Sequence, residues 1–144
     1  MKVCFDMDGT IADLYGVEGW LDYLLTESTK PYEMAKPMVN MSLLARLLNK
    51  AQRNGHKLVV ISWTSKSGSL QYNEAVAEVK KAWLAKHLPS VKWDEINIVP
   101  YGYRKALFAE GAQDVLFDDE ERNRNEWTGV AYDVRNIVET LKAL

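Results

Sequence analysis

Short runs of apolar, β-favouring residues recur along this chain, separated by longer stretches in which apolar positions return every three or four residues. The runs are Val3 to Phe5, Leu58 to Ile61 (LVVI), Ile96 to Val99 (INIV), Val115 to Phe117 (VLF) and Val130 to Tyr132 (VAY). Between them, SLLARLLNKAQRNG places Leu43, Leu44, Leu47, Leu48 and Ala51 on one helical face, with Gly55 as a natural stop. The segment NEAVAEVKKAWLAKHLP places Val76, Val79 and Trp83 likewise and halts at Pro89. Asp133 is positioned to cap a last helix carrying Ile137, Val138 and Leu141. Strands alternating with helices of this length require crossovers, and so predict a mostly parallel five-stranded sheet covered on both faces. No repeat, low-complexity tract or linker interrupts the pattern. Residues 1–144 are read as a single α/β domain.

Composition narrows the setting. The chain has 144 residues, enough for a real core, with 47% hydrophobic residues, 26% charged residues and a formal net charge of -2. This mild acidity argues against a general nucleic-acid binder, which needs a basic excess or patch. The longest nearly uncharged stretches fall well short of a membrane span, and the N-terminus lacks a signal-peptide pattern. A single cysteine, Cys4, excludes an internal disulfide framework and suits a reducing cytoplasm, the expected location. Cys4 lies inside the first apolar run and reads as a small buried hydrophobe.

The chemistry begins in KVCFDMDGTIADLYG, residues 2–16, where an apolar run meets two acids at once. Asp6 and Asp8 flank Met7, and on an extended chain alternate residues point the same way. At about 4 Å and an effective dielectric near 20, two such charges repel by roughly 4 kcal/mol. A cation between them, a retained proton or plain solvation would each relieve the pair. The sheet supplies a context. In an open parallel sheet, ligands bind beyond the carboxyl ends of the strands. Asp6 follows the first strand, Ser62 the second, and Asp118 and Asp119 the fourth (VLFDDEE). Three strands thus bring polar groups to one edge, and Asp6, Asp8 and Asp118 form the hard oxygen set that Mg²⁺ favours. A calcium loop of the EF-hand type is rejected. It needs a Gly six positions in, and Gly9 stands at the fourth.

DMDGT at Asp6 to Thr10, a strand ending in Ser62, Lys105 within YRKALF and FDDEE around Asp118 resemble, in order, the four motifs of the haloacid dehalogenase (HAD) superfamily, phosphatase branch. The resemblance extends over roughly residues 2–135, and the first motif is the most specific. DMDGTIADLYG and WLAKHL are further similar to the 5'-deoxyribonucleotidase group and small nucleotidase-like proteins. Dehalogenases themselves are less similar, since they lack an acid at the position of Asp8. The resemblance implies a three-layer Rossmann-like fold with a small helical cap after the first strand. It also implies a Mg²⁺-dependent phosphomonoesterase, acting on a small phosphorylated substrate such as a nucleoside 5'-monophosphate.

Carried onto matching positions, the resemblance implies that Asp6 attacks phosphorus to give an aspartyl-phosphate. Asp8 would protonate the leaving oxygen and then deprotonate water. Mg²⁺ would be held by the Asp6 carboxylate, the Asp8 backbone carbonyl and Asp118. Lys105 would supply positive charge to the phosphoryl group. Gly9 permits a sharp turn, and the Thr10 hydroxyl steadies the loop. Ser62 and Thr64 are both candidates for the second-motif hydroxyl; Ser62 is preferred because the apolar run ends there. Asp119 is either a supporting group or an additional metal contact. Trp63 either stacks on substrate or packs. His56 and His87 have no nucleophile partner, which disfavours Ser-His-Asp and Cys-His chemistry.

Residues from about Leu14 to Met41 remain unassigned to the sheet and form the expected cap insert. Its Tyr15, Trp20, Tyr23 and Tyr32 either offer an apolar lid or pack the cap onto the core. Arg122 and Arg124 either meet a second phosphate or lie in a solvated loop. A cap this small leaves room for a nucleotide, a sugar phosphate or a phosphorylated polynucleotide end. A polynucleotide-end phosphatase, a phosphotransferase and a non-catalytic phosphate-binding module are the alternatives on the same fold.

Overall fold

Lys2–Phe5, buried at all four positions, forms strand β1 in a computed structural model that describes residues 1–144. The chain continues through β2 (Ala12–Asp13), α1 (Trp20–Leu25), α2 (Lys30–Met34), β3 (Lys36–Pro37) and α3 (Met41–Arg53). There follow β4 (Lys57–Trp63), α4 (Leu70–His87), β5 (Glu95–Val99), a 3₁₀ turn at Lys105–Phe108 and β6 (Val115–Phe117). The last elements are α5 (Glu121–Glu126), β7 (Val130–Tyr132), a 3₁₀ turn at Val134–Asn136 and α6 (Ile137–Lys142). The main sheet has the order β5-β4-β1-β6-β7, and all of its neighbouring pairs are parallel. No helix is long and apolar enough to cross a membrane.

Alternation along the strands divides the core. Val3, Phe5, Leu58, Val60, Val115 and Phe117 face α3, α4 and α6, where Leu44, Leu48, Leu84, Ile137 and Leu141 meet them. Cys4, Val59, Ile61 and Leu116 face the opposite way, onto Trp127 and Phe108. The second face is therefore covered by the Lys105–Phe108 turn and the end of α5, and its layer is thin. Burial pushes the Cys4 thiol up to about 12, consistent with an inert hydrophobe.

The helices start and stop where local chemistry allows. Asn40 Oδ1 accepts from the Leu43 N–H at 3.0 Å and caps α3. Gly55, at φ 93°, turns the chain out of that helix into β4. Ser69 Oγ caps α4 by accepting from Tyr72 N–H at 3.1 Å. Asp133 Oδ1 accepts from Val134 N–H and starts the final helical segment.

Between β1 and α3, β2 and β3 pair antiparallel, Ala12 with Pro37 and Asp13 with Lys36. They close the base of an insert that carries α1 and α2. Leu14 and Tyr32 of the insert pack on Tyr72 and Val76 of α4. Its tip is tied to the start of α4, where Ser69 donates through Oγ and N–H to Glu27 at 2.7 and 3.0 Å. The Tyr72 hydroxyl adds a bond to the Ser28 carbonyl at 2.8 Å.

Candidate active site

The order of the sheet decides where the site lies. The chain runs outward from β1 through β4 to β5, then crosses back to β6 on the other side of β1. This reversal leaves a crevice beside the end of β1, the position at which open α/β sheets bind ligands. Asp6 follows β1 directly, and its N–H bonds to the Phe117 carbonyl at the end of β6 at 3.0 Å. Asp118 follows β6, fully buried, with its N–H on the Tyr132 carbonyl. Two strand ends thus present two aspartates side by side.

Past Asp6 the backbone folds into a tight turn, in which the N–H groups of Thr10, Ile11 and Ala12 all point at the Met7 carbonyl at 3.0 Å. Met7 enters the core while Asp6 and Asp8 line the cavity, as the alternation predicts. Gly9 has φ 78°, and a Cβ there would run into the Asp119 carboxylate. Its role is close approach as well as turning. Thr10, fully buried, donates from Oγ1 to Asp6 Oδ2 at 3.0 Å and accepts from the Asp119 N–H at 3.3 Å. That hydroxyl joins the loop after β1 to the loop after β6.

Lys105, only 2% exposed, reaches in from the 3₁₀ turn and donates to Asp6 Oδ1 and Asp118 Oδ2, both at 2.8 Å. Asp118 also accepts from Asn123 Nδ2 at 3.1 Å and from the Glu120 N–H at 2.9 Å. Burial opposes the charge of Asp6, but Lys105 outweighs it and holds that carboxyl below its ordinary range. Burial and the Asp6 charge push Asp118 up to about 6 and Asp119 up to about 8. Burial also raises Asp8, against the pull of Lys80.

The three upward shifts share a cause: buried carboxylates crowd around Asp6 with too few cations. One carboxylate oxygen each from Asp6, Asp118 and Asp119 lie within 4.8 Å of one another. A set of hard oxygens with unbalanced negative charge fits a small divalent cation such as Mg²⁺. Asp119, left open from the sequence, belongs to this cluster.

The rest of the predicted set is spread around a cavity of about 320 Å³. Asp6, Asp8, Lys105 and Asp118 line its floor, and Tyr15, Trp20 and Tyr32 line it from the insert. Tyr15 and Trp20 meet edge to face at 4.9 Å between centroids. Tyr23 does not line it. Trp63 does, with its indole N–H on the Tyr103 carbonyl at 2.9 Å and its ring 5.0 Å from that of Tyr101. Lys105 Nζ lies 5.2 Å from the Trp63 ring centroid, so this indole stands next to the ammonium. Of the two candidate hydroxyls, Thr64 lines the cavity and Ser62 does not. β4 continues through Trp63, so Ser62 is a fully buried strand residue facing α4, where its hydroxyl accepts from Lys80.

His56 sits near the N-terminal amine and His87 against Trp83, both away from the cavity. Arg122 pairs with Glu126, and Arg124 donates to the Asp118 backbone carbonyl at 3.0 Å. The sequence reading missed two partners of the cluster. Asn123 braces Asp118, and Lys80 of α4 forms an ion pair with Asp8 at 2.8 Å. A signal for Lys80 exists, since it follows Val76 by four positions on the apolar stripe.

No protein-family model matches the chain, and no curated protein does. Among solved structures, the chain is similar to the crystal structure of D,D-heptose 1,7-bisphosphate phosphatase from Burkholderia thailandensis. The TM-score is 0.51 at 14% identity, over 86% of this chain and 69% of that one. At that identity the likeness is one of fold, and the parallel sheet with flanking helices is the fold that the sequence resemblance implies.

Proposed function

We propose that this chain is a Mg²⁺-dependent phosphomonoesterase of the HAD type, acting through an aspartyl-phosphate on Asp6, with a nucleoside 5'-monophosphate as the leading substrate. The observation that carries the reading is the Lys105 ammonium, held 2.8 Å from both Asp6 and Asp118 on the floor of the cavity. Such a group orients the attacking carboxylate and meets the charge of an incoming phosphoryl group. The likeness of fold to a phosphatase supports the same reading.

In the first step an Asp6 oxygen forms a bond to phosphorus as the bond to the leaving oxygen breaks, and Asp8 gives that oxygen its proton. In the second, Asp8 takes a proton from water, whose oxygen attacks phosphorus and expels the Asp6 carboxylate. Thr10 fixes the Asp6 oxygen that Lys105 does not hold. The carboxylates of Asp6, Asp118 and Asp119 and the backbone carbonyl of Asp8 would hold Mg²⁺. The ion supplies charge that offsets repulsion among the acids and polarises a phosphoryl oxygen. Trp63, Tyr15 and Trp20 wall the cavity with rings suited to a nucleobase.

The test is a screen of phosphate release with Mg²⁺ across nucleoside monophosphates, sugar phosphates and 5'- or 3'-phosphorylated oligonucleotides. Release from monophosphates that stops with a chelator is expected. Release only from oligonucleotide ends would move the substrate to polynucleotides. No release from any ester would overturn the enzyme reading.

A further inference from the structure

Helix α4 carries a lysine on its buried face. Tyr72, Val76, Lys80 and Leu84 follow one another at four-residue spacing, and their exposures are 5%, 0%, 1% and 1%. Three of the four are apolar, as the helical pattern predicts, and the other brings a cation into the interior. A charge this deep is tolerated when its donors are satisfied and a counter-charge is close. A lysine ammonium has three N–H donors. Here Nζ donates to Asp8 Oδ2 at 2.8 Å, to Ser62 Oγ at 2.8 Å and to the Trp63 carbonyl at 2.6 Å. The Tyr32 ring of the insert lies 5.2 Å from the same nitrogen.

We propose that Lys80 is a positioning residue for Asp8: it ties Oδ2 to the end of β4 and leaves Oδ1 for proton exchange in the cavity. The inference rests on the phosphatase reading and adds a residue which that reading lacks. Lys80 is not a second phosphate ligand, because its three donors are committed and it does not line the cavity, whereas Lys105 and Asp8 both do. Nor is it only a staple between helix and strand. Its charged bond goes to the side chain that must hold one orientation while a proton moves, on a loop beyond the end of β1. Proton transfer is sensitive to such orientation. The geometry also gives Ser62 a purpose: its buried hydroxyl completes the ammonium's coordination.

The test compares wild type, Lys80→Met, Asp8→Asn and the double variant on two esters of similar size. Benzyl phosphate has a poor leaving group that needs protonation, and p-nitrophenyl phosphate has a good one. Single-turnover phosphorylation of the protein is measured alongside kcat and KM. Lys80→Met is expected to slow phosphorylation by benzyl phosphate roughly 10- to 100-fold, within the range of positioned acid-base catalysis. The aryl ester should lose less than about 3-fold in that step, and KM should change little. In the Asp8→Asn background, adding Lys80→Met should cost less than about 3-fold on either ester, because the group it acts through is gone.

Equal losses on the two esters, or equal losses with and without the Asp8 carboxyl, would overturn the role. Lys80→Met leaves the Asp8 charge unpaired and is liable to unfold. The double variant removes both charges, and its comparison with Asp8→Asn alone then decides: a further loss above about 3-fold overturns the proposal. Wild type inactive on every ester would overturn the phosphatase reading and the role of Lys80 together. Active wild type with equal losses overturns the role of Lys80 alone.

Discussion

Thr10 donates its hydroxyl to Asp6 Oδ2 at 3.0 Å from four positions further along the same loop. The loop that delivers the proposed nucleophile also restrains it, while Lys105 holds the other oxygen. Thr10→Val keeps the shape of this fully buried side chain and removes the bond. A hydrogen bond to a charged group contributes about 1.5–3 kcal/mol, so phosphate release should fall roughly 10- to 100-fold, with a smaller change in melting temperature. Steady-state kinetics with parallel thermal unfolding checks this. Unchanged turnover would show that Lys105 alone orients Asp6.

Asp6 and Asp8 should fail in different ways. On the proposed roles, Asp6→Asn removes the nucleophilic carboxylate, so no protein-bound phosphate should form with any ester. Asp8→Asn keeps the nucleophile and loses the proton donor. An aryl phosphate could then still load Asp6, and hydrolysis of the intermediate would be slow. Rapid-quench detection of acid-stable, base-labile phosphate on each variant distinguishes them. Phosphate trapped on Asp6→Asn would reverse the assignment.

Mg²⁺ binding should stabilise the folded chain, since ligands that bind only the native state raise its stability. The Asp6, Asp118 and Asp119 cluster carries more negative charge than Lys105 balances. Millimolar Mg²⁺ is expected to raise the wild-type melting temperature, and Asp118→Asn should abolish most of that rise. Differential scanning calorimetry with and without a chelator reads it directly. An equal rise in Asp118→Asn would remove Asp118 from the ligand set.

Trp63 should affect substrate choice more than chemistry. Its ring lines the cavity beside Lys105 and packs on Tyr101. Trp63→Ala should lower kcat/KM for nucleotides against small sugar phosphates several-fold, the scale of aromatic stacking near 1 kcal/mol. Trp63→Phe, which keeps a ring and loses the bond to Tyr103, should retain most of the preference. If the ranking of substrates is the same in all three proteins, the indole is a packing group.

Stability at low pH should depend on Asp114, far from the cavity. Its carboxylate is 4% exposed and accepts three backbone N–H groups: Lys2 at 2.8 Å, Glu110 at 2.7 Å and Gly111 at 3.0 Å. Burial opposes the charge, but these bonds outweigh it and lower the group below its ordinary value. A carboxyl lowered in the folded state contributes stability that is fully present above its unfolded value near 3.9 and fades as pH falls through the folded one. Asp114→Ala should therefore melt well below wild type at pH 7, with the gap narrowing below about pH 4. A gap that stays constant down to pH 2.5 would contradict this.

What the sequence determined about this protein is its arrangement of buried faces. The five apolar runs became the five strands, extended by one residue at most at the start and by two at the end of β4. The apolar faces around Leu44 and Val76 became α3 and α4. Asp6 and Asp118 fall immediately after β1 and β6, because an apolar run that stops in acids marks the point at which a buried strand leaves the sheet. Such features are local: burial period, caps and strand ends are written within a few residues of where they act.

Tertiary structure decided which polar groups meet. Lys105 reaches Asp6 across 99 positions of the chain, and Lys80 reaches Asp8 across 72. No local period encodes those pairs. Lys80 had the composition of a solvent-facing residue and the register of a core one; only the neighbouring Asp8, Ser62 and Trp63 carbonyl show that the register prevails. Ser62 and Thr64 likewise share a face in the sequence, and the continuation of β4 through Trp63 puts one inside and the other on the cavity. The Lys105–Phe108 turn and the polar helix α5 are short, too brief for a helical period to stand out. They were legible only once the sheet they cover was in place.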